Sequence, residues 1–82
     1  MKKTAIVMIK IYSKNVQEDL EIPLDITVND LMIALNSAYG LDIDVSNIRS
    51  CYLKTENPIA LLHGNKLLAD YGIRNGTVLY LS

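Results

Sequence analysis

Eighty-two residues make room for one domain, and a formal net charge of −1 supplies no basic face of the kind that phosphate backbones demand, which argues against nucleic acid as a partner. Half of the chain is apolar, as in an ordinary globular domain, but Trp and Phe are absent, so five Tyr carry all of the aromatic area. Cys51 is alone and cannot close an internal disulfide, and one Cys with one His is too few for the usual four-ligand zinc site. Cys51 therefore reads as a small core residue, and no metal or cofactor is expected.

The opening Lys2-Lys3 and the apolar run Ala5–Ile9 briefly imitate a signal peptide. The run is short, Lys10 interrupts it, and no small-residue cleavage site follows. No stretch reaches the roughly 18 apolar residues of a membrane span, so a cytoplasmic protein without membrane insertion is expected.

Residues 4–12 alternate as a strand, with Ala5, Val7, Ile9 and Ile11 on one face and Ile6, Met8, Lys10 and Tyr12 on the other. A polar turn, Ser13-Lys14-Asn15, leads to a second alternating run over 18–24, in which Leu20, Ile22 and Leu24 oppose Asp19 and Glu21. Pro23 has no N–H to donate, so this strand belongs at a sheet edge.

The hydrophobic period then changes. Thr27, with Asp30 three residues on, is a helix start of capping-box type, and Ile26 and Leu31 stand at hydrophobic-staple spacing. Val28, Leu31, Met32, Leu35, Ala38 and Tyr39 form one stripe, Ile33 points away from it, and Gly40 ends the helix. After a connection over 41–48, a third strand is expected over 49–54, with Cys51 and Leu53 inward and Tyr52 and Lys54 outward. Glu56-Asn57-Pro58 reads as a turn, Ile59–His63 as a short fourth strand, and Asn75-Gly76 as the turn before a last strand, Thr77–Leu81. In that strand Leu79 and Leu81 face in, and Val78 and Tyr80 face out.

The order is β-β-α-β-β-β. One helix of about a dozen residues covers one sheet face and leaves the other to solvent. An α+β architecture follows, with a mixed five-stranded sheet and one main helix in a single domain over residues 1–82. The first and last strands are expected to pair in parallel in the middle of the sheet.

The closing stretch Leu68-Ala69-Asp70-Tyr71-Gly72-Ile73-Arg74-Asn75-Gly76-Thr77-Val78-Leu79-Tyr80-Leu81 resembles the last segment of ubiquitin-like β-grasp proteins. The opening hairpin and the Thr27-led helix match the same fold. Within that superfamily the chain is most similar to the small bacterial YukD/EsaB proteins of Gram-positive type VII secretion, on its size, its Lys-bearing first strand and its Asp-Tyr-Gly-Ile-x-Asn-Gly motif. The resemblance implies a non-enzymatic accessory or regulatory component that docks on a membrane or ATPase component of the secretion machinery. Another non-conjugating ubiquitin-like adaptor is the alternative. The sequence ends at Leu81-Ser82 without a Gly-Gly tail, so conjugation and sulfur transfer are not expected unless a longer precursor exists.

Candidate chemistry is sparse. His63 has no evident nucleophile near it in sequence, and Asp42 with Asp44 offers fewer oxygens than a calcium loop needs. Gly64, Gly72 and Gly76 are isolated turn residues and form no phosphate-cradling loop. Asp70 and Tyr71 read structurally, with the Tyr71 hydroxyl bonding nearby backbone. The outward positions Ile6, Met8, Tyr52, Leu61 and Tyr80 instead suit a protein-binding face, on which Tyr52 and Tyr80 would be the anchors and a weak homodimer would be a rival occupant.

Overall fold

The computed structural model describes residues 3–43, 46 and 52–81. Among them, β1 (Thr4–Ile11) and β2 (Val16–Pro23) form an antiparallel hairpin joined by a 3-10 turn at Tyr12–Lys14. Asn15 closes that turn in the left-handed region, φ 53°, a conformation that Asn tolerates better than most residues. Helix α1 (Val28–Tyr39) follows, then β3 (Leu53–Glu56), β4 (Ala60–Leu62), a 3-10 turn at Leu68–Tyr71 and β5 (Val78–Leu81). The strands lie in the order β2-β1-β5-β3-β4, with β1 and β5 parallel at its middle and the Pro23-bearing β2 at one edge. The chain thus has the mixed five-stranded sheet and single main helix that its hydrophobic periods predict.

Alternation sorts the strand side chains onto two faces. Ala5, Val7, Ile9 and Ile11 of β1, Leu53 of β3, Leu62 of β4 and Leu79 and Leu81 of β5 are buried on the face beneath α1. From the helix, Val28, Leu31, Met32 and Leu35 complete that core, and Leu68 and Ile73 join it from the chain before β5. Fully burying such an aliphatic side chain stabilises by roughly 1.5–3 kcal/mol, so this layer holds the fold together.

The start of α1 is satisfied from two directions. The Asp30 amide donates to Thr27 Oγ1 at 3.1 Å, and the Thr27 amide donates back to the Asp30 carboxylate, completing a capping box. The two preceding helical amides leave the helix altogether: Val28 N–H donates to the Lys66 carbonyl and Asn29 N–H to the Gly64 carbonyl. Helix termini leave such groups unpaired by construction, so the 64–66 segment serves as a second cap. Leu68 N–H to Ile26 O and Ala69 N–H to Leu24 O continue the zipper. At the far end Gly40 takes φ 62° and donates to the Asn36 carbonyl, the left-handed cap that its sequence position suggests.

The two short strands and one helix position differ from expectation. Among the described residues the third strand runs over Leu53–Glu56, two residues past its expected end at Lys54, because pairing of Lys54 with Tyr80 and of Glu56 with Val78 carries it into the expected turn. Tyr52 directly precedes it, while residues 49–51, including Cys51, lie outside the described residues, as does Asp44. The fourth strand shrinks to Ala60–Leu62, since only three residues of β3 oppose it, and Ile59 stands in the turn with 90% of its surface exposed. Ala38 is exposed and not part of the buried stripe. At about 100° per residue it falls roughly 70° from the centre of that stripe, and its methyl group is too short to reach back. A 3-10 turn at Leu68–Tyr71 adds an element beyond the predicted ones.

Candidate protein-binding face

The sheet face opposite α1 is built by the alternate residues of each strand. β1 places Ile6, Met8 and Lys10 there, β5 places Val78 and Tyr80, β3 places Lys54 and Glu56, and β4 places Leu61. Ile6, Leu61 and Tyr52 are about half exposed, and Met8 and Tyr80 are half-buried. All five residues singled out in the sequence therefore avoid the core, and the four on strands share this face. Tyr52 continues the β3 alternation from the position before it.

The five do not form one uninterrupted apolar patch. Strand register sets Lys10 beside Tyr80, Tyr80 beside Lys54 and Lys54 beside Leu61. A row with two lysines thus crosses the face, with Ile6, Met8 and Val78 along the inner strands and Leu61 and Tyr52 beyond Lys54. On the β2 side, Glu21 opposes Ile6 and Asp19 opposes Met8, so carboxylates border the apolar residues there.

Tyr80 is the centre of this arrangement. Its ring stacks on Tyr12, with centroids 6.2 Å apart and planes 17° from parallel, and Lys10 Nζ sits 5.5 Å from its centroid. Desolvation first, and then a hydrogen bond to the Glu56 carboxylate and its charge, hold the Tyr80 phenol above the ordinary tyrosine value. The raised value keeps the Tyr80 phenol neutral at physiological pH. Its ring partner is Tyr12, a residue that sequence alternation set on the same face but did not single out. A shallow groove of about 430 Å³ opens beside the pair, with Ile59, Ala60 and Lys54 among its walls.

The remaining tyrosines are structural. Tyr71 Oη donates to the His63 carbonyl at 3.1 Å, as its motif position suggests, and Lys66 Nζ lies 4.7 Å from its ring centroid. Tyr39 Oη donates to the Glu18 carboxylate, tying the end of α1 to β2. That bond is the main cause of its raised pKa, ahead of desolvation and the Glu18 charge. His63 is exposed, and Asp42 stands exposed on the connection after α1. Among the described residues no three His, Cys, Asp or Glu side chains gather in a way that would hold a metal ion, and no helix is long and apolar enough to cross a membrane.

Comparison with solved structures defines the class. The chain superposes on the ubiquitin-like domain of tubulin-binding cofactor B with a TM-score of 0.75 at 20% identity, covering 98% of this chain and 89% of that one. A designed protein based on ubiquitin matches with a TM-score of 0.64 at 20% identity over 96% of this chain and 87% of the other. The UBL domain of Plasmodium falciparum Dsk2 matches with a TM-score of 0.60 at 24% identity over 98% of this chain and 100% of that one. These likenesses establish a ubiquitin-like β-grasp fold. No match was found among curated proteins. The family profile described as "WXG100 protein secretion system (Wss), protein YukD" matches residues 6–81, and the chain belongs to this YukD family. Membership supports an accessory role in that secretion system.

Proposed function

We propose that this protein is a non-enzymatic, protein-binding accessory component of a Gram-positive type VII secretion system, acting in the cytoplasm on a membrane or ATPase component of the apparatus. Its docking surface is the open sheet face, with Tyr52 and Tyr80 as anchors and Ile6, Met8 and Leu61 around them. One observation carries this reading. α1 covers one side of the sheet, and the opposite side of a YukD-family chain keeps large apolar and aromatic side chains exposed where a purely solvated face would carry polar ones. Tyr suits such a face because it combines a large rigid area with a polar end.

Photo-crosslinking in cells tests the reading. A photoreactive phenylalanine analogue replaces Tyr80, Tyr52 or, on the outer face of α1, Ile33. Positions 80 and 52 should capture a membrane or ATPase component of the secretion machinery, and position 33 should not. Capture from position 33 alone would move the interface to the helix. The intact mass of the protein isolated from the same cells should equal that of its unmodified chain; a covalent adduct would instead support group transfer or conjugation.

A further inference from the structure

On the open sheet face the charges are sorted, with two lysines around the aromatic pair and Asp19 and Glu21 on the β2 side. Lys10 and Lys54 stand on either side of Tyr80 in the register of β1, β5 and β3, two strand spacings or about 10 Å apart. Glu56, two residues along β3 from Lys54, stands outside this row, opposite Val78. Among the described residues no carboxylate pairs with either ammonium group. Two cations without a carboxylate partner thus flank the Tyr80 ring, Lys10 lying over its face, and the groove beside the Tyr12–Tyr80 pair is also lined by Lys54, Glu56, Ile59 and Ala60. Ile59, 90% exposed in its turn, and Tyr12, 66% exposed beside its stack on Tyr80, present apolar area to solvent.

Resting on the reading of this face as the docking surface, we infer that its partner presents an acidic segment: one or two carboxylates that meet Lys10 and Lys54, beside a large apolar side chain that enters the Tyr12–Tyr80–Ile59 groove. The lysines become charge-assisted donors to the carboxylates, and the apolar side chain dehydrates the aromatic pair. Asp19 and Glu21 on the β2 side of the same face repel the acidic part of the segment and set its orientation. The same two residues, with Glu56, disfavour a nucleic acid or an anionic membrane, each of which would spread negative charge over the whole face.

Selection of random twelve-residue peptides on the immobilised full chain tests this. The enriched sequences should carry Asp or Glu next to Leu, Ile or an aromatic residue. In an isotope-labelled chain they should shift the amides of Lys10, Tyr12, Lys54, Ile59 and Tyr80. Lys54→Glu and Lys10→Glu should each weaken these peptides at least about tenfold and turn a repeated selection toward Lys- and Arg-bearing sequences. Lys54→Gln, which keeps a neutral polar side chain, should weaken them without that reversal. Neutral or basic peptides bound at the same amides would overturn the acidic preference while leaving the docking face intact. Peptides that shift only residues around Ile33 would overturn the docking face itself. An absence of any enriched sequence would overturn recognition of a short segment. Sedimentation showing a wild-type dimer that Lys54→Glu dissolves would assign the groove to a second copy, whose β2 carries Glu18, Asp19 and Leu20, and would overturn the separate partner.

Discussion

The hydroxyl of Thr27 and that of Thr77 do comparable work, and only the first was legible in the sequence. Thr27 serves a partner three residues away, so the Thr-x-x-Asp spacing alone reveals it. Thr77, fully buried, accepts from the Arg74 amide at 3.1 Å and donates to the Asn57 carbonyl at 2.7 Å, twenty residues distant, which joins two turns that no local pattern connects. Thr27→Ala should lower stability by about 0.5–2 kcal/mol, and the lower half of that range is expected because the Val28 and Asn29 amides keep their bonds to residues 66 and 64. Thr77→Val removes both of these part-buried hydrogen bonds and, at about 0.5–1.5 kcal/mol for each, should cost about 1–3 kcal/mol. Urea denaturation of the two variants measures both, and an unchanged midpoint for Thr77→Val would remove it as a strut. Tyr39 adds a pH dependence. Its folded pKa is raised, so its contribution is complete below the unfolded value of about 10 and disappears as pH climbs through the folded value. Stability should therefore fall more steeply above pH 10 in the wild type than in Tyr39→Phe.

At the scale of elements, the change from period two to period 3.6 near Ile26–Val28 marked the boundary between the hairpin and α1, and Pro23 marked the edge strand. Both signals are local. The limits of β3 and β4 were not legible because tertiary pairing sets them: β3 extends to Glu56 only because β5 lies alongside it, and Ile59 falls out of β4 because no β3 residue opposes it. The 3-10 turn at Leu68–Tyr71 leaves no local signal for the same reason, since Leu68 and Ala69 are held by carbonyls of residues 26 and 24. The helix offers a direct comparison of stripe and margin. Leu35→Ala, at a buried position, should cost about 2–5 kcal/mol, whereas Ala38→Gln, at an exposed one, should stay within about 0.5 kcal/mol of wild type. A large loss for Ala38→Gln would restore Ala38 to the packed face.

For the whole molecule, the division into a covered and an open sheet face was legible from the single helix, and the membership of the open face from alternation. The lysine row across it was not, because which residues stand side by side depends on strand order and register. That row changes the character of the surface from a plain apolar patch to an aromatic centre flanked by cations. Tyr80 is also preorganised by its stack on Tyr12, a kind of contact worth roughly 0.5–1.5 kcal/mol, so part of the ordering that binding would demand is already present in the free chain.

The central claim is that the open sheet face binds the protein partner, and the most direct measurement is the affinity of the wild type and three variants for the component captured by photo-crosslinking. By titration calorimetry, Tyr80→Ala and Tyr52→Ala should each weaken binding by at least about 1–2 kcal/mol, with a smaller effect on folding stability because neither ring lies in the core. Ile33→Ala, on the far side of α1, should bind as the wild type does. A folded Tyr52/Tyr80 double variant that retained full affinity, or a loss confined to Ile33→Ala, would contradict the account.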